Sequence, residues 1–330
     1  MPPRRFTLVT CIFAFLLYAC ASATQLTAAP VSPVPDTPLP PPTLTPTITQ
    51  TLTATPPPLI PNFDHIVIIV LENKEFGLIF GNSQMPYFNQ LGTSHTLLTQ
   101  HYAVAHPSLP NYLAMIGGDT FGIDFDCTSC IVDAPSLPDQ IEGGGRTWKA
   151  YMEDMPSPCF SGADAGNYAM KHNPFLYFKP FRLNKDRCAH SDVPFTQLSD
   201  DLAANALPNF MFITPNLCND AHDCPISVAD AWLQDLMGKL VPALDAGGKP
   251  YLIVVTWDEG QGDHSCCGLP ASAGGRVATV LVSPQAKTGF QDDTPYSHYS
   301  LLKTIETAWN LPLLGHAADA ATPLITAPWK

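Results

Sequence analysis

The stretch Asp64-His65-Ile66-Val67-Ile68-Ile69-Val70-Leu71-Glu72-Asn73 decides the fold. Residues 66–71 form an unbroken, largely β-branched apolar run, which is typical of a strand buried on both faces of a sheet. The run ends at the carboxylate of Glu72 and the amide of Asn73. Because ligands of open α/β sheets bind at the carboxyl ends of strands, this pair is a candidate half of a divalent-metal site. Taken alone, an ordinary strand end with a solvated Glu72 is the simpler interpretation.

Further apolar segments alternate with amphipathic ones along the chain. They predict strands at 97–104, 147–152, 209–213, 251–256 and 276–282, and helices at 75–80, 85–91, 108–117, 196–206, 228–244 and 297–310. Alternation of buried strands with helices predicts an α/β fold with a mostly parallel sheet flanked by helices. Residues 121–187 are less regular and are expected to form an excursion over the end of the sheet where the strands finish.

The N-terminus predicts export. Arg4 and Arg5 precede an apolar segment at 6–19 that is short for a membrane span, so residues 1–19 read as a signal peptide. Leu17-Tyr18-Ala19-Cys20 resembles a bacterial lipoprotein cleavage box, in which Cys20 carries the lipid that attaches the protein to a membrane. Tyr18 is unusual in such a box, and plain secretion is the alternative.

Residues 20–63 are predicted to be a lipidated cysteine followed by a linker. The segment is mostly Pro, Thr, Ala and Ser, with Asp36 as its one charge, and such a composition forms an extended tether. Residues 64–330 then fit one catalytic domain. Removal of Arg4 and Arg5 with the signal peptide changes the formal net charge from −13 to −15, which argues against nucleic acid as a partner.

The cysteines predict disulfides. Eight of the ten lie beyond Cys20, an even number in a chain predicted to be exported. We expect a structural bridge between Cys127 and Cys130, although the spacing also occurs in redox pairs, and a short bridge between Cys218 and Cys224. The adjacent Cys266 and Cys267 would form a strained bond with each other, so each is expected to pair elsewhere.

Ser108 is the candidate nucleophile. It is predicted to cap a helix, where free N–H groups favour an anion and could stabilise charge on phosphoryl oxygens. A serine that merely caps the helix is the plainer alternative. A nearby group of basic residues in this acidic chain could attract an anionic substrate, although a solvated face is the better explanation; it comprises Lys171, His172, Lys179, Arg182 and Lys185.

Three predicted strands end in potential ligands. Glu72-Asn73 follow the first, Asn216 and the loop with Asp220, His222 and Asp223 follow the second, and Asp258-Glu259 follow the third. Ligands from separate strands converge only if the strand ends meet at one edge of the sheet. The three together therefore predict a metal centre, which no one of them does alone.

These segments resemble the bacterial phosphoesterase family of secreted acid phosphatases and phospholipases C, within the alkaline phosphatase superfamily. The opening segment 67–76 is similar to that family's V-V-x-x-E-N-x-S-F/Y block, and His106-Pro107-Ser108-Leu109-Pro110-Asn111-Tyr112 to its nucleophile block. Segments 215–223, 256–259 and 297–306 match three later blocks in order. Lys74-Glu75 replaces the family's small polar residue, and the absence of a long C-terminal region favours the acid-phosphatase branch.

The resemblance implies a doubly wound, alkaline-phosphatase-like sheet and a Ser108 nucleophile activated by a divalent metal. It implies Glu72, Asn73, Asp258 and Glu259 as metal ligands, with Asn216 and Asp220 as further candidates. His222 and His298, with Asp223 and His106, would bind phosphoryl oxygens or protonate the leaving oxygen.

The implied activity is hydrolysis of small or lipid phosphate monoesters, phosphoinositides included, through a phosphoserine. Phospholipase C-type diester cleavage and a non-catalytic surface binding protein are the alternatives. Calcium, magnesium and zinc all remain open as the metal.

Overall fold

The computed structural model describes residues 59–330. Its strands are β1 (His65–Leu71), β2 (Thr96–Tyr102), β3 (Trp148–Met152), β4 (Asp164–Ala165), β5 (Tyr168–Ala169), β6 (Asp192–Pro194), β7 (Phe210–Thr214), β8 (Tyr251–Trp257), β9 (Arg276–Val282), β10 (Phe290–Asp292) and β11 (Tyr296–Ser297). Its helices are α1 (Phe76–Ile79), α2 (Pro86–Ser94), α3 (Ser108–Gly117), α4 (Leu137–Gly143), α5 (Lys179–Leu183), α6 (Lys185–Ser191), α7 (Gln197–Ala203), α8 (Ile226–Gly247) and α9 (His298–Ala308). Short 3₁₀ turns occur at Met170–His172, Pro174–Tyr177 and Gly315–Ala318.

The predicted sheet is confirmed. Its strands run in the order β10-β2-β9-β8-β1-β7-β3-β6, with β11 beside β2. Strand β1 is central and parallel to both neighbours, with Ile66 opposite Phe210 on β7 and Leu252 on β8. Strand β9 runs antiparallel to β8 and β2, so the sheet is mixed but mostly parallel.

The alternating side chains of β1 explain why helices cover both faces. Ile66, Ile68 and Val70 belong to a core that also holds residues of α3 and α9. Val67, Ile69 and Leu71 belong to the opposite core, which includes residues of α2 and α8. Because a strand sends successive side chains to opposite faces, a continuous apolar run requires a helical layer on each side.

The sequence predicts that the domain begins at residue 64. In the structure, packed residues begin a few positions earlier. Ile60 and Phe63 fall within the predicted linker but are buried, and the Phe63 carbonyl accepts a 2.7 Å hydrogen bond from the Trp309 indole. The predicted signal peptide, Cys20 and most of the predicted linker lie outside the described residues. Within 59–330, no helix has both the length and the apolar character that crossing a bilayer requires.

Four disulfides join the eight cysteines of the domain. The predicted Cys127–Cys130 and Cys218–Cys224 bridges are present. The expectation that Cys266 and Cys267 pair elsewhere is wrong, because they bond to each other. The remaining two, Cys159 and Cys188, also form a pair, so no third cysteine of the domain is left for either neighbour.

Glu306 gives the fold a pH-dependent component. Its side chain on α9 is buried with one oxygen accepting from the Leu314 amide at 3.0 Å and the other unpaired, and burial raises its pKa to about 8. The folded state therefore holds this proton more tightly than the unfolded chain, whose pKa is about 4.3. Stability contributed by protonated Glu306 is complete below about pH 4 and is lost progressively as the pH rises towards 8.

We expect Glu306→Gln to remove that loss. The amide oxygen can still accept from Leu314, and no buried charge forms at high pH. The variant should match the wild type near pH 4 and gain on the order of 4 kcal/mol relative to it at pH 8, because the two pKa values of Glu306 are almost four units apart. Urea unfolding at both pH values measures this difference in the free energy of unfolding. If the variant and the wild type differed equally at the two pH values, Glu306 would not be the source of the pH dependence.

Candidate active site

Ser108 lies at the start of α3 and faces the end of β1. Its side chain is buried, and its Oγ donates to Glu72 Oε2 at 3.1 Å. Pro107 occupies the cap position, so Ser108 is the first helical residue and not the N-cap that the sequence predicts. Tyr112, one turn later on the same face, donates its hydroxyl to the other oxygen of Glu72. Helix α3 therefore presents two hydroxyls to one carboxylate.

The ends of β1 and β8 bring Glu72 and Asp258 together. Leu71 and Trp257 are paired in the parallel register, so the residues that follow them emerge side by side. Asn73 has a φ of 56°, in the left-handed region where asparagine is tolerated, and its backbone N–H donates to Asp258 Oδ1 at 2.9 Å. The Asn73 amide nitrogen lies 3.4 Å from Glu72 Oε2. Both carboxylates are fully buried.

Asp220 and His172 complete this buried cluster. His172 Nε2 lies 3.3 Å from Glu72 Oε2, and its Nδ1 lies 3.5 Å from Asp220 Oδ2. Asp220 is held in place because its carboxylate accepts from the His222 amide at 2.7 Å and its carbonyl accepts from the Glu72 amide at 2.8 Å. The three side chains offer ligand atoms that lie within 4.8 Å of one another.

His172 corrects the sequence interpretation. It was grouped with neighbouring basic residues on a solvated face, yet it is 2% exposed. Two of its predicted companions behave as expected, since Lys171 pairs with Asp126 and Lys179 with Asp133 at partly or fully exposed positions. His172 differs because the short turn at Met170–His172 carries it inward, where its ring stacks on Tyr112 with centroids 5.4 Å apart.

The electrostatics of the cluster fit a cation. Burial and repulsion from Asp258 and Asp220 raise the pKa of Glu72 well above its usual range. Burial likewise raises the pKa of Asp220 and of Asp258, while burial and the nearby Lys171 lower the pKa of His172. Three buried atoms lack a hydrogen-bond partner: His172 Nε2, Asp220 Oδ2 and Asp258 Oδ2. A divalent ion would neutralise the carboxylates and use these lone pairs, and carboxylate oxygens with one imidazole nitrogen suit such ions.

His106 and Glu259 form a pair beside the cluster. Glu259 was predicted as a metal ligand, but in this structure its carboxylate bonds to His106 Nδ1. That hydrogen bond raises the pKa of His106, and the other ring nitrogen lies 3.4 Å from the Gly262 carbonyl. His106 is two residues from Ser108 in sequence, and its side chain is partly exposed.

His298 and His222 occupy different environments. His298 is buried; its Nε2 donates to the Asp258 carbonyl at 2.6 Å, and its Nδ1 lies 3.3 Å from His101. This geometry favours support of Asp258 over contact with a substrate. His222 is partly exposed, and Asp223 bonds to its Nδ1 at 2.7 Å, which leaves Nε2 for another partner.

The side chain of Asn216 is engaged in hydrogen bonds within and beside its own loop. Its Oδ1 accepts from the Cys218 and Asn219 amides at 3.0 and 2.9 Å, and its Nδ2 donates to Asp154 at 2.9 Å. These bonds shape the loop closed by the Cys218–Cys224 disulfide, which presents Asp220 and His222. Asn216 therefore orders the loop that carries Asp220.

Glu75 is a positioning residue that the sequence did not single out. Its Oε2 accepts from the Gln261 and Gly262 amides at 3.1 and 3.3 Å, and its Oε1 accepts from the Arg276 amide at 3.3 Å. Gly275, with φ of 86°, lies so close that an added Cβ would meet Glu75 Oε2 at 2.9 Å. Glu75 thus fixes both ends of the 260–275 loop, whose first turn holds His106.

We expect Glu75→Ala to lower kcat/KM about tenfold, because the loop that orients Glu259 and Gly262 loses three hydrogen bonds. Glu75→Gln keeps one acceptor oxygen and should recover part of the loss. The pH profile of kcat/KM should change in Glu75→Ala, since the surroundings of His106 change with the loop. If both variants kept the wild-type kcat/KM and its pH profile, the 260–275 loop would keep its conformation without the hydrogen bonds of Glu75.

Comparison with known proteins identifies the family. A model described as the phosphoesterase family matches residues 80–312. The chain belongs to this family. It is 34% identical over 275 residues to a Mycobacterium tuberculosis protein named phosphatidylinositol-3-phosphatase, covering 82% of this chain and 84% of that protein. It is 35% identical to the phosphate-repressible acid phosphatase of Penicillium chrysogenum, covering 77% of this chain and 60% of that longer protein. The chain is therefore a phosphoric ester hydrolase, as the sequence predicts.

Solved structures of this fold agree on the architecture. One is an alkaline phosphatase superfamily protein from Vibrio parahaemolyticus, with a TM-score of 0.50 and 13% identity over 80% of this chain and 71% of that one. Another is the lipoteichoic acid synthase of Listeria monocytogenes, with a TM-score of 0.52 and 12% identity over 81% and 76%. At these identities the likeness concerns the fold alone, and it confirms the predicted alkaline-phosphatase-like sheet.

Proposed function

We propose that this phosphoesterase is an exported, metal-dependent phosphomonoesterase of the acid-phosphatase type that acts through a phosphoserine at Ser108. The observation that carries the proposal is the placement of Ser108 Oγ 3.1 Å from Glu72, at the edge of a buried group of acidic side chains. A serine that only capped its helix would bond to the backbone of its own first turn, whereas the Ser108 hydroxyl donates to the side chain of Glu72.

The residues that would hold the metal are Glu72, Asn73, Asp258 and the predicted ligand Glu259, which follow β1 and β8. Asp220, from the loop after β7, and His172, from the turn at Met170–His172, would join them. A bound divalent ion lowers the pKa of the serine hydroxyl and offsets the charge of the phosphoryl oxygens. Calcium, magnesium and zinc all bind carboxylate oxygens. The imidazole nitrogen of His172 is a ligand type that is common for zinc.

Ser108 acts as the nucleophile in the first half of the reaction. Its hydroxyl gives its proton to Glu72 Oε2 as Oγ attacks phosphorus, the new Ser108–phosphorus bond forms, and the bond from phosphorus to the leaving oxygen breaks. Glu72 Oε2 accepts the hydrogen bond of the Ser108 hydroxyl and so orients a lone pair towards the substrate. The Leu109 amide is engaged by Asp126 at 3.1 Å and Pro110 has no N–H, which leaves the Ser108 amide to face a phosphoryl oxygen.

The leaving oxygen needs a proton, and two histidines are placed to give one. His106 has a raised pKa because of Glu259, so it is charged under mildly acidic conditions. His222, oriented by Asp223, is the second candidate. In the second half of the reaction water attacks the phosphoserine and gives a proton to the histidine that protonated the leaving oxygen. The Ser108–phosphorus bond breaks, and Ser108 takes its proton back from Glu72 as inorganic phosphate leaves.

Export is part of the same proposal. Four disulfides in one domain are typical of an oxidising compartment. The predicted signal peptide supplies the route, and a lipid on Cys20 would attach the enzyme to a membrane near lipid phosphates. Phosphoinositides are candidate substrates because the mycobacterial relative is named for one.

A product assay tests the activity. The purified enzyme, loaded with calcium, magnesium or zinc, is given p-nitrophenyl phosphate, phosphatidylinositol 3-phosphate, bis(p-nitrophenyl) phosphate and phosphatidylcholine. We expect inorganic phosphate from the two monoesters and little turnover of the diesters. Diacylglycerol release from phosphatidylcholine would replace the proposal with phospholipase C-type cleavage, and metal binding without phosphate release would indicate a binding protein.

A further inference from the structure

A cavity of about 410 Å³ is lined by Tyr299 of α9 and by loop segments on either side of α3. Three of its wall segments lead directly into the active site. Ala105 precedes His106, and Asp124 is two residues before Asp126, which holds the Leu109 amide. The third segment, 267–270, belongs to the loop whose Gly262 carbonyl lies near His106. The wall of the cavity is therefore continuous along the chain with the segments that carry His106 and that hold the Leu109 amide.

The wall chemistry is apolar and acidic. Its apolar part comprises Val104, Ala105, Ile123, Leu269 and Pro270, together with the ring of Tyr299. Its ionisable part is Asp124, which is exposed, and Asp319, which pairs with His316 at 2.7 Å. Among the described residues that line it there is no lysine or arginine. A second anionic group would meet repulsion here, whereas an uncharged ring would replace water against apolar walls.

We propose that this cavity, hereafter the leaving-group pocket, receives the alcohol part of the substrate and selects uncharged alcohols with an apolar or aromatic face. The assignment rests on the proposed phosphomonoesterase function and names its substrate class. Charge is handled in two separate places: the buried strand ends accept the phosphoryl group, and the leaving-group pocket disfavours further negative charge. Phosphatidylinositol 3-phosphate, whose alcohol carries a charged phosphodiester, should therefore be hydrolysed more slowly than phenyl phosphate. Its volume falls in the range of small-molecule sites and fits an aryl or similar ring.

The test separates the pocket from the phosphoryl site. Leu269→Trp fills the leaving-group pocket, and Ile123→Trp fills it from the 120–124 segment if the first variant does not fold. Each is assayed on phenyl phosphate, with inorganic phosphate as the competitive inhibitor, because inorganic phosphate has no alcohol part. We expect kcat/KM to fall about tenfold while the inhibition constant of inorganic phosphate changes less than twofold.

The charge preference is tested with a matched pair of substrates. The wild type should prefer phenyl phosphate over 4-carboxyphenyl phosphate, and Asp124→Asn should narrow that preference about threefold, the effect of one partly screened charge. Asp200→Asn, on α7 after the opposite edge strand, makes the same charge change at an exposed site and should leave the preference unchanged.

The outcomes are distinct. Parallel changes in kcat/KM and in the inhibition constant would show that the tryptophan disturbs the phosphoryl site, and no change in either would show that the alcohol lies elsewhere; both overturn the proposal. An unchanged preference in Asp124→Asn overturns the charge selection. A wild-type enzyme that releases no phosphate from either substrate refutes the proposed function itself.

Discussion

Ser108→Ala is expected to lower kcat for p-nitrophenyl phosphate by about a thousandfold or more, because the group that forms the bond to phosphorus is gone. Glu72 keeps its bond to Tyr112, and the helix start does not depend on the lost hydroxyl, so unfolding in urea should change by less than about 1 kcal/mol. Binding of inorganic phosphate should persist.

The matched control is Ser136→Ala. Ser136 is an equally buried serine at the start of a helix, where it forms a capping box with Asp139 on α4. Its loss should cost about 1 kcal/mol of stability and leave kcat unchanged. Retained turnover in Ser108→Ala, or an equal loss of activity in both variants, would remove Ser108 from the role of nucleophile.

Glu72→Gln is expected to have the second largest effect, through the metal. The amide keeps the shape of the side chain but removes the negative charge that Ser108, Tyr112 and His172 surround. We expect the bound divalent metal, measured by elemental analysis, to fall below one equivalent and kcat to fall about a hundredfold or more. Chelation of the wild type should give the same loss of activity, and adding metal back should restore it there but not in the variant.

Glu306→Gln serves as the control for that experiment. Glu306 is also a buried glutamate with a raised pKa, but it lies on α9 and contacts the Leu314 amide. The metal content and kcat of the Glu306→Gln enzyme should match those of the wild type. A Glu72→Gln enzyme with full metal content and full turnover would mean that the cation, if one is needed, sits elsewhere.

Strand β1 shows why so much of the fold could be predicted. Its six apolar residues must be covered on both faces, which requires helices on each side, and parallel neighbours then place Glu72 and Asp258 at one edge. At β1, the local sequence pattern is therefore enough to predict which distant residues meet. The same logic brought Asp220 to the site, because its loop follows β7, the other neighbour of β1.

His172 and Glu75 show where this reasoning stops. His172 lies in the irregular 121–187 excursion, where no periodicity reports which side chains turn inward. Glu75 was recognised as a departure from the family pattern, but its amide partners near 261 and 276 lie about two hundred residues away in sequence and are main-chain groups. The pattern of side-chain types along the sequence does not predict which distant main-chain amides will lie beside Glu75.

The cysteines illustrate a different limit. Cys266 and Cys267 bond to each other although a bond between adjacent cysteines is strained when the two residues are considered alone. Pairing is decided by which sulfur atoms the fold brings within reach, and the fold commits Cys159 to Cys188 and closes the two short bridges as well. Connectivity is thus a property of the whole domain.

A phosphoenzyme trapped during turnover tests the central claim most directly. The metal-loaded enzyme is mixed with a labelled phosphate monoester, quenched with acid within milliseconds, digested and analysed by mass spectrometry. The account predicts phosphate on Ser108 in the wild type and none in Ser108→Ala. Label on a different residue, such as His106 or His222, during full-rate turnover would contradict it.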